Sequence, residues 1–310
     1  MRIIITGGAG CLGSNLLEKL LPDGHQVLVV DNFITGSKEV VPPCDGLQVV
    51  EGSVVDESLI EKYFEEFSPD LVIHSAASYN DPTNWREDSL TNILGSINVA
   101  KAAEKVGVEK IINFQTALCY GRPKEIPITK NHPLQPFSSY GISKTAGEQY
   151  LINSGLPVLS LRLANVTGPR LAIGPIPTFY QRLKAGKPCF CSDSRRDFLD
   201  IEDFFSIIDI LISSEVSSGV FNVSTGESKS IMDVFNSVSS YLGIVPNEPP
   251  PIVPVGNDDV PEVVLDPSET EKVLGWKARV SFEETICRML AWYEEHGVSA
   301  IHSHLSEPRS

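Results

Sequence analysis

The stretch TGGAGCLG, which begins at Thr6, joins the apolar run RIIIT at 2–6 to a segment with apolar residues at 12, 16, 17, 20 and 21. That is a strand handed directly to a helix, with glycines at 7, 8, 10 and 13 at the junction. The first N–H groups of a helix have no intrahelical acceptor and sit at the positive end of its dipole, so they bind phosphate. A β-carbon in the preceding turn would hold a pyrophosphate away. Gly7 therefore serves the tight turn, Gly10 the close approach of a ligand, and Gly13 the packing of helix on strand. Cys11 and Leu12 bring the first helical turn into the same cradle.

The next strand, HQVLVVD (25–31), ends in Asp31, about twenty residues beyond the loop. A carboxylate there accepts hydrogen bonds from ribose hydroxyls and repels a 2′-phosphate, so NAD is expected in preference to NADP. Further strands read at 47–52, 70–77, 109–121 and 157–169, with helices at 58–67, 89–107 and 138–155. Strands alternating with helices of this length predict an α/β fold with a doubly wound, Rossmann-type parallel sheet. After Pro169 the alternation stops, and prolines and glycines cluster at 168–177 and 247–261. The expected organisation is a dinucleotide-binding domain over 1–168 and a smaller C-terminal α/β substrate lobe over 169–300 that shares some strands and helices with it. A polar tail follows over 301–310.

Composition narrows the partners. The formal net charge of −15 disfavours nucleic acid and anionic membrane surfaces. The six cysteines form no CxxC pair, which predicts no metal site and suits a reducing, cytoplasmic location. No apolar run is long enough to span a bilayer, and MRIIITGG does not read as a signal peptide.

Chemistry enters at YGISK. Tyr140 and Lys144 are four residues apart on a predicted helix and share one face. An ammonium beside a phenol favours the phenolate, so tyrosine becomes a usable general base near neutral pH.

The glycine spacing is GxxGxxG from Gly7, and with YxxxK it resembles the extended short-chain dehydrogenase/reductase superfamily. The resemblance runs to about residue 297. It implies that Thr116, in FQTALCYG, completes a catalytic set with Tyr140 and Lys144. It also implies cofactor contacts from Asn32 and Gly36 of DNFITG, from Ser53 and Val54 of EGSVVD, from Ala76 and Ala77 of HSAA, and from Asn92. Ser53 stands where the family usually has aspartate. RLANVTGP (162–169) and RRDFLDIED (195–203) resemble boxes of nucleotide-sugar enzymes, which implies that Asn165 and Arg196 bind the diphosphate. Asp259 matches a position near the uridine ribose. Gly256 stands where many UDP-hexose epimerases carry a second arginine. Val263 matches a gate whose tyrosine excludes N-acetyl groups.

DNFITG and the TALCYG box are similar to UDP-sugar 4-epimerases, the latter to those of bacterial O-antigen gene clusters. Dehydratases carry Asp-Glu after the threonine, whereas this chain has Ala117 and Leu118. The resemblance therefore implies epimerisation of a UDP-sugar at C4 through a 4-keto intermediate, on an N-acetylated hexose or hexuronate. A 4,6-dehydratase or a reductase on the same fold is the alternative. It further implies a homodimer, with the helices at 89–105 and 140–154 pairing as a four-helix bundle.

Overall fold

The computed structural model describes residues 1–79, 81–256 and 259–298; the tail expected over 301–310 lies outside the described residues. The first six strands are β1 (Arg2–Thr6), β2 (Gln26–Asp31), β3 (Leu47–Glu51), β4 (Leu71–His74), β5 (Lys110–Thr116) and β6 (Val158–Leu163). They alternate with helices α1 (Cys11–Leu20), α2 (Glu57–Phe67), a short α3 (Trp85–Asp88), α4 (Gly95–Val106) and α5 (Ser139–Ile152). Then follow β7 (Asn165–Thr167), α6 (Pro175–Lys184), β8 (Cys191–Ser192), β9 (Arg195–Arg196), β10 (Phe198–Asp200), α7 (Ile201–Ser213) and β11 (Gly219–Val223). The chain closes with β12 (Lys229–Ser230), α8 (Ile231–Leu242), β13 (Ile252–Val253), β14 (Glu262–Val263), α9 (Ser268–Leu274) and α10 (Phe282–His296).

Seven strands form one sheet in the order β11-β6-β5-β4-β1-β2-β3, every neighbouring pair parallel. The order reverses between β1 and β4, and in such sheets ligands bind outside the carboxyl ends of the strands at that point. The β-branched run of β1 suits a strand covered on both faces: Ile3, Ile4 and Ile5 are fully buried.

The chain divides into two compact units, interleaved along the sequence. The first comprises residues 1–122, 130–163 and 207–223. The second comprises 123–129, 164–206 and the described residues from 224 onward. The division falls at 163 rather than at the expected 168, because the expected strand 157–169 is two strands. β6 ends at Leu163, and β7 leaves the large sheet to pair with β10. The second unit holds this pair, the pair β13-β8 and the small sheet β12-β9-β14, around a core that includes Phe179, Val234, Phe235, Ile286 and Leu290.

The helix expected over 89–107 is also not uniform. Residues Ser89–Leu94 form a wide π-helical turn between α3 and α4. Such turns occur frequently at functional sites. Gly147 of α5 packs against it so closely that a β-carbon there would lie 2.2 Å from the carbonyl oxygen of Asn92.

Within the first unit a buried ion pair braces the back of α5. Arg162 of β6 reaches Glu148 through Nη2 to Oε2 at 2.9 Å and Nε to Oε1 at 3.2 Å, and both side chains are almost wholly buried. Arg162 also donates to the Tyr120 hydroxyl, which donates to Asn222 of β11. Removing one member strands the other charge, so Arg162→Met is expected to cost about 3–5 kcal/mol. Replacing both, Glu148→Leu with Arg162→Met, is expected to recover much of it, as read from denaturant midpoints at constant m-value.

Candidate active site

Helix α1 begins at Cys11 with backbone alone: no side chain caps it, and no acidic residue stands in its first turn. Gly7 has φ +70°, and a β-carbon there would lie 2.7 Å from the Ala76 backbone. Gly7 thus serves the approach of the loop after β4 as well as the turn. A β-carbon on Gly13 would lie 2.6 Å from Gly7 O and Gly8 Cα, so this glycine fits the helix onto the turn itself. At Gly10 a β-carbon would meet only Gly7 O, at 3.3 Å, with no other neighbour within contact distance. Space in front of the helix end, with no competing anion, fits a dinucleotide pyrophosphate.

The other cofactor candidates surround this loop. Asp31 is buried at the end of β2, where Oδ2 accepts from Ala9 N at 2.9 Å and Oδ1 from Phe33 N at 2.8 Å. Asn32 accepts from Ile34 N, and Gly36 packs on Ala9, where a β-carbon would lie 2.8 Å from the Ala9 Cβ. Ser53 turns its hydroxyl back to Val55 N, and Val54 is buried with its carbonyl taken by Asn98 Nδ2. Ala76 N points to Thr6 Oγ1 at 3.4 Å, and Ala77 follows half-buried.

Asn92, expected at the cofactor, is 1% exposed, and both its amide hydrogens are donated inside the protein. Nδ2 donates to Ser78 O and to Ser143 Oγ, each at 2.9 Å, and Oδ1 accepts from Ser78 N at 2.9 Å. It ties the loop after β4 to α5.

Tyr140 and Lys144 lie in α5, which Ser138 caps by accepting from Gly141 N. Thr116 ends β5, and its hydroxyl accepts from Leu118 N to start the short 3-10 turn Ala117–Tyr120. That turn replaces the end of the strand expected over 109–121. Gln115 joins the two elements: its Nε2 donates to Lys144 O at 3.0 Å, and its Oε1 accepts from Thr116 N at 2.8 Å. Sequence reasoning missed Gln115. The available signal was a glutamine next to Thr116 in a strand read as buried, where a buried amide must be satisfied.

The electrostatics differ from the sequence expectation. Lys144 was expected to lower the Tyr140 phenol. Instead burial, followed by the neighbouring Tyr79 and Asp88, pushes that phenol above its ordinary range. Lys144 is itself buried, which brings its ammonium down to about 8, with Glu148 one turn on opposing the fall. It remains mainly protonated at neutral pH. His74, beneath it, is held neutral: burial and the Lys144 charge bring it to about 3. Its Nδ1 pairs with Thr6 Oγ1 at 2.8 Å and its Nε2 with Ser96 Oγ at 3.0 Å, so it fastens β4 to β1 and α4.

The nucleotide-sugar candidates lie in the second unit. Arg196 Nη2 donates to Asp259 Oδ1 at 2.6 Å, and Nη1 to the carbonyl of Arg195 at 2.8 Å. Its partner is thus Asp259, the residue expected near the ribose. Asn165 is exposed, and its Nδ2 donates to Asp197 O at 3.0 Å. The Asp197 carboxylate accepts from Thr225 and Gly226 and so anchors the segment that carries Arg196. The Gly256 carbonyl accepts from Asp259 N at 3.2 Å. Val263 is buried in β14 as the register partner of Arg196.

Among the described residues no group of histidines, cysteines and acids is arranged to hold a metal ion, all six cysteines are free thiols, and no helix is long and apolar enough to cross a membrane.

The model of the NAD dependent epimerase/dehydratase family matches residues 3–224. The Bordetella bronchiseptica enzyme WbmG, crystallised with NAD, superposes with a TM-score of 0.94 and 62% identity over 99% of this chain and 98% of that one. The same enzyme has also been crystallised with NAD and UDP, and that structure gives a TM-score of 0.93 over 98% and 97% of the two chains. WbmH of the same organism, in complex with NAD+, gives 0.90 at 41% identity over 96% and 99%. A UDP-glucose 4-epimerase of Mycolicibacterium smegmatis is 29% identical over 94% of this chain and 98% of its own. The loop at the end of β1, the acid at the end of β2 and these likenesses together establish that the chain belongs to the NAD dependent epimerase/dehydratase family, with NAD as its cofactor.

Proposed function

We propose that the chain is an NAD-dependent nucleotide-sugar 4-epimerase acting on a UDP-linked N-acetylated hexose or hexuronate, for surface polysaccharide synthesis in the cytoplasm. The observation that carries the reaction type is the turn after Thr116. Ala117 and Leu118 occupy it, and neither can move a proton. The acid beside Tyr140, Asp88, is 1% exposed with an oxygen bound to each of two serines, so it does not serve an elimination. Epimerisation at C4 needs one proton carrier and a hydride acceptor, and no further acid.

Bound NAD supplies the hydride acceptor; its pyrophosphate is assigned to Gly7, Gly10, Cys11, Leu12 and Gly13 and its adenosine ribose to Asp31. Asn32, Gly36, Ser53, Val54, Ala76 and Ala77 form the surrounding wall. The protein's own residues handle the sugar. Thr116 hydrogen-bonds the C4 oxygen and fixes its direction. Tyr140 takes the proton from that hydroxyl and returns it after the sugar turns over. Lys144 holds positive charge near the phenolate while it exists. Arg196 neutralises the diphosphate with its guanidinium fork, with Asn165 beside it and Asp259 releasing the arginine to ligand or reaching the ribose.

The N-acetyl or uronate class is supported by Val263 in place of a bulky gate residue and by the TALCYG resemblance. A homodimer belongs to the same proposal. The outer faces of α4 and α5 present Ile97, Ala100, Ala146 and Tyr150 around a shallow cleft of about 540 Å³, as a four-helix pairing requires.

A proton NMR time course tests the reading. Purified protein is mixed with UDP-hexoses, their N-acetyl forms and the matching uronates, without added reductant. An axial–equatorial change at C4, with no net NADH and no water lost, is the expected result and names the sugar. A 4-keto-6-deoxy product would make the chain a dehydratase instead.

A further inference from the structure

We propose that Asp88 is a positioning residue for Tyr140: it locks the loop after β4 to the first turn of the catalytic helix and places a buried negative charge beside the phenol. The inference rests on the reading of Tyr140 as the proton carrier.

The geometry is closed on every side. Asp88 ends α3, immediately before the π-helical turn. Its Oδ1 accepts from Ser78 Oγ at 2.9 Å, in the loop that follows HSAA. Its Oδ2 accepts from Ser139 Oγ at 2.6 Å, and Ser139 directly precedes Tyr140. Four residues on, Asn92 grips the backbone of the same Ser78 and the hydroxyl of Ser143, one turn further along α5. The end of α3 and the π-helical turn thus bring two buried polar groups, Asp88 and Asn92, to one loop and one helix. Tyr79, next to Ser78, sets its ring edge-on to Tyr140, with centroids 6.1 Å apart.

A carboxylate at this place is costly unless it does something that a neutral amide cannot, since both serines could be tethered without a charge. Its negative field opposes a second negative charge on Tyr140. The titratable and charged groups around the phenol are few. Tyr79 comes from the loop after β4, Asp88 from α3, and Lys144 from α5, with Glu148 and His74 beyond the lysine and Cys11 beyond Tyr79. Of these, Asp88 opposes a charge on the phenol, against the Lys144 charge that the proposed mechanism uses to steady the phenolate. A carrier that takes a proton and must return the same proton in each turnover needs that balance, because a phenol made too acidic would not give it back.

Asp88→Asn keeps the shape and can still bond both serines, but removes the charge. The acid limb of its kcat–pH profile is expected to fall by about one pH unit. The Tyr140 step in the ultraviolet tyrosinate titration of the cofactor-free protein, identified by its loss in Tyr140→Phe, is expected to fall with it. If Asp88→Asn does not fold, Ser139→Ala reads the same device with the charge retained. One donor to the carboxylate is lost, so the limb is expected to rise and kcat to drop. A limb and a tyrosinate step that stay where they are in the folded variant would overturn the proposal and leave Asp88 a structural tie. A Tyr140→Phe variant with full activity would instead remove the reading on which it rests.

Discussion

Tyr140→Phe is expected to lower kcat by about 10²–10⁴-fold while the protein stays folded and still binds NAD and substrate. Only the hydroxyl is removed. The ring remains edge-on to Tyr79, and the bonds that seat α5 belong to Gln115, Ser138, Ser139 and Ser143 rather than to the phenol. The loss is therefore expected in kcat, with KM for the sugar nearly unchanged, because the phenol acts on a proton in flight and contributes little to ground-state binding. Steady-state kinetics with a matched dichroism spectrum read both. A variant that kept a tenth or more of wild-type kcat would show that another group carries the proton.

The second large effect separates the fold from the cofactor. Gly10→Val is expected to leave the fold nearly intact, because a β-carbon there meets one carbonyl oxygen, at 3.3 Å, on the open side of the loop. The new side chain fills the space in front of α1, so NAD affinity is expected to fall by about a hundredfold or more, from loss of close backbone contact to the pyrophosphate. Gly13→Ala is expected to do the reverse in order. Its β-carbon collides with the backbone of Gly7 and Gly8 at 2.6 Å, where no flexible side chain can yield, so Tm drops first and cofactor binding fails with it. Thermal melts and NAD titrations on the two variants distinguish a cradle from a packing constraint.

The sheet was legible because its strands declare themselves twice, by β-branched runs such as III and by helical spacing between them. The glycine loop, Asp31 and the YxxxK pair were legible because each places a chemical group at a fixed offset along one element. The features that were not legible depend on residues distant in sequence. Ala164 looks like the middle of a strand, and only the pairing of β7 with β10 shows that the strand has ended. The π-helical turn at 89–94 has an ordinary helical pattern, and nothing along it shows that Gly147 of α5 packs against it. Nothing along the sequence around Asn92 shows that its amide bonds Ser78 and Ser143, 14 and 51 residues away. Asp88 gave no signal, since the serines that hold it, Ser78 and Ser139, lie on other elements of the fold. The direction of the Tyr140 shift was missed for the same reason: spacing reveals the lysine on the same face, but burial and charges from other elements are tertiary properties.

The most direct test of the account follows one atom. A substrate carrying deuterium at C4, incubated with the enzyme in ordinary water, is expected to give the C4 epimer with the label still at C4 and none released to solvent. Unlabelled substrate in deuterated water is expected to gain none there. That result requires the C4 hydrogen to leave and return as hydride within one closed site, with Tyr140 moving only the hydroxyl proton. Washout of the label from C4 at the rate of turnover would contradict it, since the carbon-bound hydrogen would then be exchanging as a proton.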